Sequence, residues 1–135
     1  MNRSVEEILR STSVVGIVGI SPNENRDSHR VAKYLQKWGY RVIPINPEAE
    51  VILGELCYPT LASCPIQIDI VDIFRRQEFI LPIVNEAINV KAKVIWMQLG
   101  ICDQPAYKKA IQNGLDVIMN QCISQEHARL LGTKR

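Results

Sequence analysis

Residues Val14-Val15-Gly16-Ile17-Val18-Gly19-Ile20 form an unbroken run of apolar residues and glycine, and a polar stretch, Ser21–Asp27 (SPNENRD), follows it. A strand with one face in water alternates apolar and polar residues, whereas one that is apolar at every position is buried on both faces. Such a strand needs covering elements above and below it, and the next segment supplies one. Val31, Tyr34, Leu35 and Trp38 fall at i, i+3, i+4 and i+7, one face of a helix opened near Asp27 or Ser28 and stopped by Gly39.

The same alternation recurs along the chain. Ser4-Val5-Glu6-Glu7 reads as a capping box for a short N-terminal helix. Further strands are expected at Tyr40–Ile45, ended by Asn46-Pro47, and at Ile66–Ile73, Lys93–Gln98 and Leu115–Met119. Helical patterns separate them. Ile80, Ile83, Val84 and Ala87 form one face, with Pro82 in the first turn. Asp103, Pro105 and Gly114 bracket a second helix, and Ser124 is expected to cap a last one ending near Gly132. The stretch Glu48–Pro65 is irregular, with a short strand around Val51–Leu53 and one helical turn near Leu61. Five βα units in series predict an α/β fold, a five-stranded parallel sheet with right-handed crossovers and helices on both faces. In such sheets ligands bind beyond the carboxyl ends of the strands. The loops there are Ser21–Ser28, Asn46–Glu48, Phe74–Arg76, Leu99–Asp103 and Asn120–Ile123.

With 135 residues, no repeat and no linker, the chain reads as a single domain spanning residues 1–135. A net charge of +2 gives no basic field that argues for nucleic acid. No apolar run approaches the ~20 residues of a membrane helix, and the first residues, with Glu6 and Glu7, are not a secretory signal. Cys57, Cys64, Cys102 and Cys122 contain no C-x-x-C pair and are joined by only two histidines, so a zinc site has nothing to start from. Reduced thiols and a cytoplasmic location are the expectation.

Several residues at the binding edge could carry chemistry. Gly16 and Gly19, ahead of a helix start, suit a backbone that approaches phosphate, although glycines in buried strands also serve helix packing alone. Arg26, Ser28 and Arg30 add cations and a hydroxyl beside Ser21. The second strand ends on Asn46, where an NAD site normally offers an acid to the ribose. Asp72-Ile-Phe-Arg-Arg76 ends the third strand with two guanidinium forks and an aromatic ring, a combination suited to a phosphate-bearing nucleotide. Asp72 itself reads equally as a helix cap, a structural acceptor or a functional group. No nucleophile–base pair is visible, since neither His29 nor His127 is placed beside Cys122 by the sequence.

Val14–Ser28, Tyr40–Pro47, Gly54–Leu61, Asp69–Arg76 (DIVDIFRR), Ala92–Gly100 (AKVIWMQLG) and Gly114–His127 together resemble the small stand-alone CoA-binding proteins. That family is similar to the Rossmann CoA-binding domain of the succinyl-CoA synthetase α chain and of ADP-forming acyl-CoA synthetases. The resemblance implies a Rossmann-like sheet of order 3-2-1-4-5 and coenzyme A as ligand. It implies Gly19, Ser21, Arg26 and Ser28 at phosphate, and Asn46, Pro47, Phe74, Arg75 and Arg76 along nucleotide and pantetheine. Gln98, Gly100 and Cys122 would close the opposite side. The chain departs from the family pattern at Asn120-Gln121, where an Asp-Arg pair is usual before the cysteine.

The resulting expectation is a protein that holds CoA or an acyl-CoA without turning it over. Its alternatives are a small enzyme acting on acyl-CoA or an NAD(P)-linked reductase, and a CoA-binding subunit of a larger complex. The ligase reaction is not expected, because the domain carrying the ligases' phosphorylated histidine is missing here. No nucleic-acid or membrane partner is expected, and the residues leave the acyl group and the oligomeric state open.

Overall fold

The computed structural model describes residues 3–132. Its elements, in chain order, are α1 (Val5–Ser11), β1 (Val14–Val18), α2 (Asp27–Lys37), β2 (Arg41–Ile45), β3 (Val51–Ile52), β4 (Glu55–Leu56) and β5 (Ile70–Ile73). A single 3-10 turn over Gln77–Phe79 then leads into α3 (Ile80–Asn89), β6 (Val94–Met97), α4 (Gln104–Gln112), β7 (Asp116–Ile118) and α5 (Ile123–Leu130).

The expected parallel, doubly covered sheet is present, with order β2-β1-β5-β6-β7. Counting only its own five strands, that order is 2-1-3-4-5, not the 3-2-1-4-5 expected. The third strand, β5, pairs with β1 (Val15↔Ile70 through Val18↔Ile73) instead of lying outside β2. No helix returns the chain to that outer position. The connection from β2 is spent on the β3–β4 hairpin and on one bridge, Ile45↔Tyr58, which occupies the outer edge of β2. β5, buried at all four positions, takes a central place where both of its edges are hydrogen-bonded.

Side-chain alternation divides the core in two. Val15, Ile17, Ile70, Val94 and Trp96 pack with α1, α2 and α5 through Ile8, Leu9, Val31, Leu35 and Ile123. Val18, Val71, Ile73, Ile95 and Met97 pack with α3 and α4 through Ile80, Val84, Ala106 and Ala110. Gly16 is a point of close approach, since a Cβ there would lie 2.8 Å from Ile68 Cδ1.

Most local signals hold. Ser4 and Glu7 form the reciprocal capping box of α1, and Asp103 caps α4 by accepting from Ala106 N–H at 2.9 Å. α5 starts two residues earlier than expected, with Cys122 in the cap position and Ser124 inside the helix. The region near Leu61 is a turn tied by Thr60 and Ser63, not a helical turn. Val51–Ile52 is one arm of a hairpin whose second arm, Glu55–Leu56, the sequence pattern does not announce.

On the α1/α2/α5 side, His127 is 3% exposed, ringed by Tyr34, Trp38 and Tyr40, and its Nδ1 lies 2.9 Å from the Tyr34 hydroxyl. Burial pushes its pKa down. The folded protein therefore binds this proton less readily than the unfolded chain, so the stability His127 contributes is present above about pH 6.5 and is lost as pH falls through its lowered folded value. The unfolding free energy of wild type relative to His127→Gln is expected to drop between about pH 7.5 and pH 5.5. Parallel urea titrations of the two proteins check this; a constant difference would refute it.

Candidate functional site

The reversal of strand order lies between β1 and β5, and there the chain leaves the two carboxyl ends in opposite directions. A cavity of about 620 Å³ opens at this point, within the range of small-molecule sites.

Gly19 forms one lip. Its φ is +90°, its N–H donates to Ile45 O at 3.2 Å, and an added Cβ would fall on the Phe74 carbonyl and within 2.7 Å of Arg75 Cδ. The loop beyond it is fastened at Ser21, whose N–H donates to Ser28 Oγ at 2.9 Å and whose carbonyl lies 3.0 Å from His29 Nδ1. The fastening delivers the N-terminus of α2 to the cavity with Arg26 in the cap position and no side-chain cap. Free N–H groups at the positive end of a helix favour an anion.

Phe74 and Arg75 form the facing lip. The Arg75 guanidinium stacks 4.1 Å from the centroid of Phe79, and Arg76 lies 5.8 Å from the same ring. Among the described residues, Arg3, Arg10, Arg30, Arg41 and Arg129 each pair with a carboxylate. The three arginines without a carboxylate partner, Arg26, Arg75 and Arg76, all line this one cavity. Concentrating unneutralised guanidinium groups at one mouth produces a site for a polyanion.

The far wall comes from β6 and α5. Gln98 is 4% exposed and accepts from Ile123 N–H at 3.1 Å through Oε1, fixing the start of α5 and leaving its amide N–H groups for the cavity. Cys122, 8% exposed, lies beside it, with Sγ 3.3 Å from Ser124 Oγ.

Nine of the twelve expected site residues are thus brought together: Gly19, Ser21, Arg26 and Ser28 on one lip, Phe74, Arg75 and Arg76 on the other, and Gln98 and Cys122 on the wall. Asn46, Pro47 and Gly100 do not line the cavity. The Asn46 side chain is engaged within its own loop region, donating to Ile20 O and accepting from the N–H groups of Glu48 and Ala49. Gly100 lies between the lining residues Leu99 and Ile101, its N–H donated to Asn120 Oδ1 at 2.7 Å. Asn120 itself sits at φ +59°, a conformation asparagine tolerates, while the Gln121 carbonyl accepts from Trp96 Nε1. The pair that departs from the family pattern thus shapes the loop and does not line the cavity. Sequence reasoning did not single out Leu99, Ile101 and Gln125, whose contribution depends on how the two loops fold over the sheet edge.

Asp72 belongs beneath this site, not at a helix cap. It lies in β5 between Ile17 and Trp96, is fully buried, and neither carboxyl oxygen has a hydrogen-bond partner. Burial first, and the nearby Cys122 second, push its pKa well above the usual carboxylate range. No group of three potential metal ligands occurs among the described residues, nor any helix long and apolar enough to cross a membrane.

Residues 13–128 match the CoA binding domain family. The chain belongs to that family. It is 36% identical over 124 residues to the uncharacterized protein YneT of Bacillus subtilis, a match covering 92% of each chain. A hypothetical protein from Pyrococcus horikoshii has the same fold with a TM-score of 0.92 and 41% identity, over 95% of this chain and 90% of that one. A 64-residue segment, 47% of the chain, is 33% identical to part of an ADP-forming acetate–CoA ligase of Archaeoglobus fulgidus, of which it covers 9%. Membership in the CoA-binding family accords with a cavity whose mouth is cationic and whose wall carries a thiol.

Gly19→Ala forces a side chain into a left-handed backbone and against a carbonyl. It is expected to lower the unfolding free energy by about 1–3 kcal/mol. Equilibrium urea denaturation measures the cost; a change below about 0.5 kcal/mol would show that the two lips can part freely.

Proposed function

We propose that this protein binds coenzyme A or an acyl-CoA across the β1/β5 switch point and holds it without turning it over. The observation that carries the reading is the gathering of the three unpaired arginines and the uncapped α2 N-terminus at one cavity. CoA is a phosphate-rich anion with an adenine ring and a thiol-ended arm. Arg26, Arg75, Arg76 and the free N–H groups of α2 suit its phosphates, Phe74 offers an apolar surface, and the cavity leads on to Cys122.

Two features argue against turnover. Each imidazole is engaged elsewhere, His29 at Ser21 O and His127 at the Tyr34 hydroxyl, and neither is hydrogen-bonded to Cys122. The Archaeoglobus relative is named a ligase, yet the matching segment is 9% of it. Holding CoA, not the ligation, is the part this chain is proposed to share. A nicotinamide dinucleotide is disfavoured because Asn46 stands where a ribose-binding acid would be, and its side chain is already spent on backbone partners.

Titration calorimetry is expected to give a CoA dissociation constant of about 1 μM or tighter and NAD binding weaker by at least about tenfold. NAD binding as tight as CoA would overturn the reading. Arg26→Ala and Arg75→Ala should each weaken CoA by roughly 1.5–3 kcal/mol, the range for charge-assisted hydrogen bonds. Arg26 is exposed, so its removal should leave stability unchanged, whereas Arg75→Ala also loses the stack on Phe79, about 0.5–1 kcal/mol. Unchanged affinity in both variants, with the fold intact, would remove the proposed phosphate site.

A further inference from the structure

A carboxyl group with no exposure and no partner for either oxygen is costly, and the cost calls for an explanation. Asp72 is such a group at the centre of the sheet. Strand alternation turns it toward the α1/α2/α5 face, alongside Ile17 and Trp96, and Cys122 packs in the same cluster. Trp96 ties this layer to the β7–α5 loop by donating from Nε1 to Gln121 O at 2.9 Å. Cys122 therefore lines the ligand cavity and also packs in the layer of Ile17 and Trp96 that flanks the buried carboxyl. Its thiol is free, occupies the cap position of an eight-residue helix, and has the Ser124 hydroxyl 3.3 Å away.

We propose that Cys122 and Asp72 form a thiol–disulfide exchange centre at the inner end of the cavity, in which Cys122 is reversibly joined to the thiol arm of a CoA-type ligand. The inference rests on the CoA reading above for the identity of its substrate, the disulfide form of CoA. The Cys122 S–H bond breaks and its proton passes to Asp72, directly after a side-chain rotation or through one water. The sulfur's electron pair forms the new S–S bond to one sulfur of the incoming disulfide. The old S–S bond breaks, its electron pair leaves on the departing sulfur, and that sulfur takes up a proton from solvent and is released as free CoA thiol, Asp72 later giving its own proton back to solvent. Cys122 is oxidised and the incoming disulfide reduced, so no further oxidant enters. An acceptor with both oxygens unengaged is what the first step needs. Asp72 accepts in its ionised form, and burial, by raising its proton affinity, favours its keeping the proton it takes. Asp72 has no exposed surface and so acts on the ligand only through Cys122.

The test incubates the full chain with CoA disulfide and follows intact mass with time, with peptide mapping to place the adduct. Wild type is expected to gain one CoA moiety on Cys122, released by dithiothreitol. Cys57→Ser, Cys64→Ser and Cys102→Ser should react as wild type does, and Cys122→Ser should not react. Asp72→Asn, and Asp72→Leu as a second variant that removes the buried polar group altogether, should bind reduced CoA as tightly as wild type. At saturating CoA disulfide their adducts should form at least about tenfold more slowly. A purely structural role for Asp72 would not separate affinity from reaction rate in this way. A parallel run with 2,2′-dithiodipyridine, a small neutral disulfide, reads Cys122 without the CoA site. If that probe shows the Asp72 effect while CoA disulfide never saturates, the exchange centre stands and the CoA reading falls. If CoA binds but the adduct forms on another cysteine, or both Asp72 variants react at the wild-type rate, the exchange centre is overturned.

Discussion

Gly19 has no room for a side chain, because the Phe74 carbonyl and the Arg75 stem already fill the space where a Cβ would project. That contact exists only because β1 and β5 are neighbours, and their adjacency sets the cavity at the end of this sheet. From β1 the chain goes on through α2, which lies with α1 and α5; from β5 it goes on through α3, on the opposite face with α4. The two exits therefore diverge and leave a cleft between them. With β5 outside β2, as the order 3-2-1-4-5 requires, Phe74 and Arg75 would stand away from Gly19, and Arg26 and Arg75 would not share a mouth.

The chain stores unfavourable electrostatics at this cleft. Arg26, Arg75 and Arg76 line one mouth with no carboxylate partner of their own, although the other described arginines are paired, Arg30 with Asp27 at this same mouth. Only Arg75 and Arg76 find partial relief, over the Phe79 ring. Below them, Asp72 is buried without a partner. Replacing either feature with apolar or paired groups would favour the empty fold, so both make sense as properties selected for what fills the cavity.

Much of this was legible in the sequence, and the reason is periodicity. Continuous apolar strands and 3.6-residue stripes report burial directly, and burial on two faces admits few architectures. The edge loops follow from the architecture, and of the twelve residues that the resemblance implied, nine line the one cavity at that edge. What escaped depends on long-range partners. β1 is apolar throughout and β5 is so except at Asp72, and nothing in either says which strands flank it. Asn46 looked available because its acceptor, Ile20 O, and its donors, Glu48 and Ala49, are recognisable only once the loops are folded. Asp72 read equally as a helix cap, a structural acceptor or a functional group, because the residues alone do not show what surrounds its carboxyl. That neither oxygen has a partner is seen only once β1, β5 and β6 lie side by side.

Asp72 also shows why a polar residue inside an otherwise apolar strand carries more information than a polar residue in a loop. In a loop, water satisfies the group and its identity is weakly constrained. In β5 the neighbours are Ile17, Trp96 and the flanking Val71 and Ile73, all fully buried, so any apolar side chain of similar size would pack there without the desolvation cost. Packing therefore cannot be the reason for aspartate, and the absence of a hydrogen bond removes the usual structural reason as well. What remains is the ability to hold and release a proton. Among the described residues, the other titratable group that bears on its charge is the Cys122 thiol, which lines the cavity.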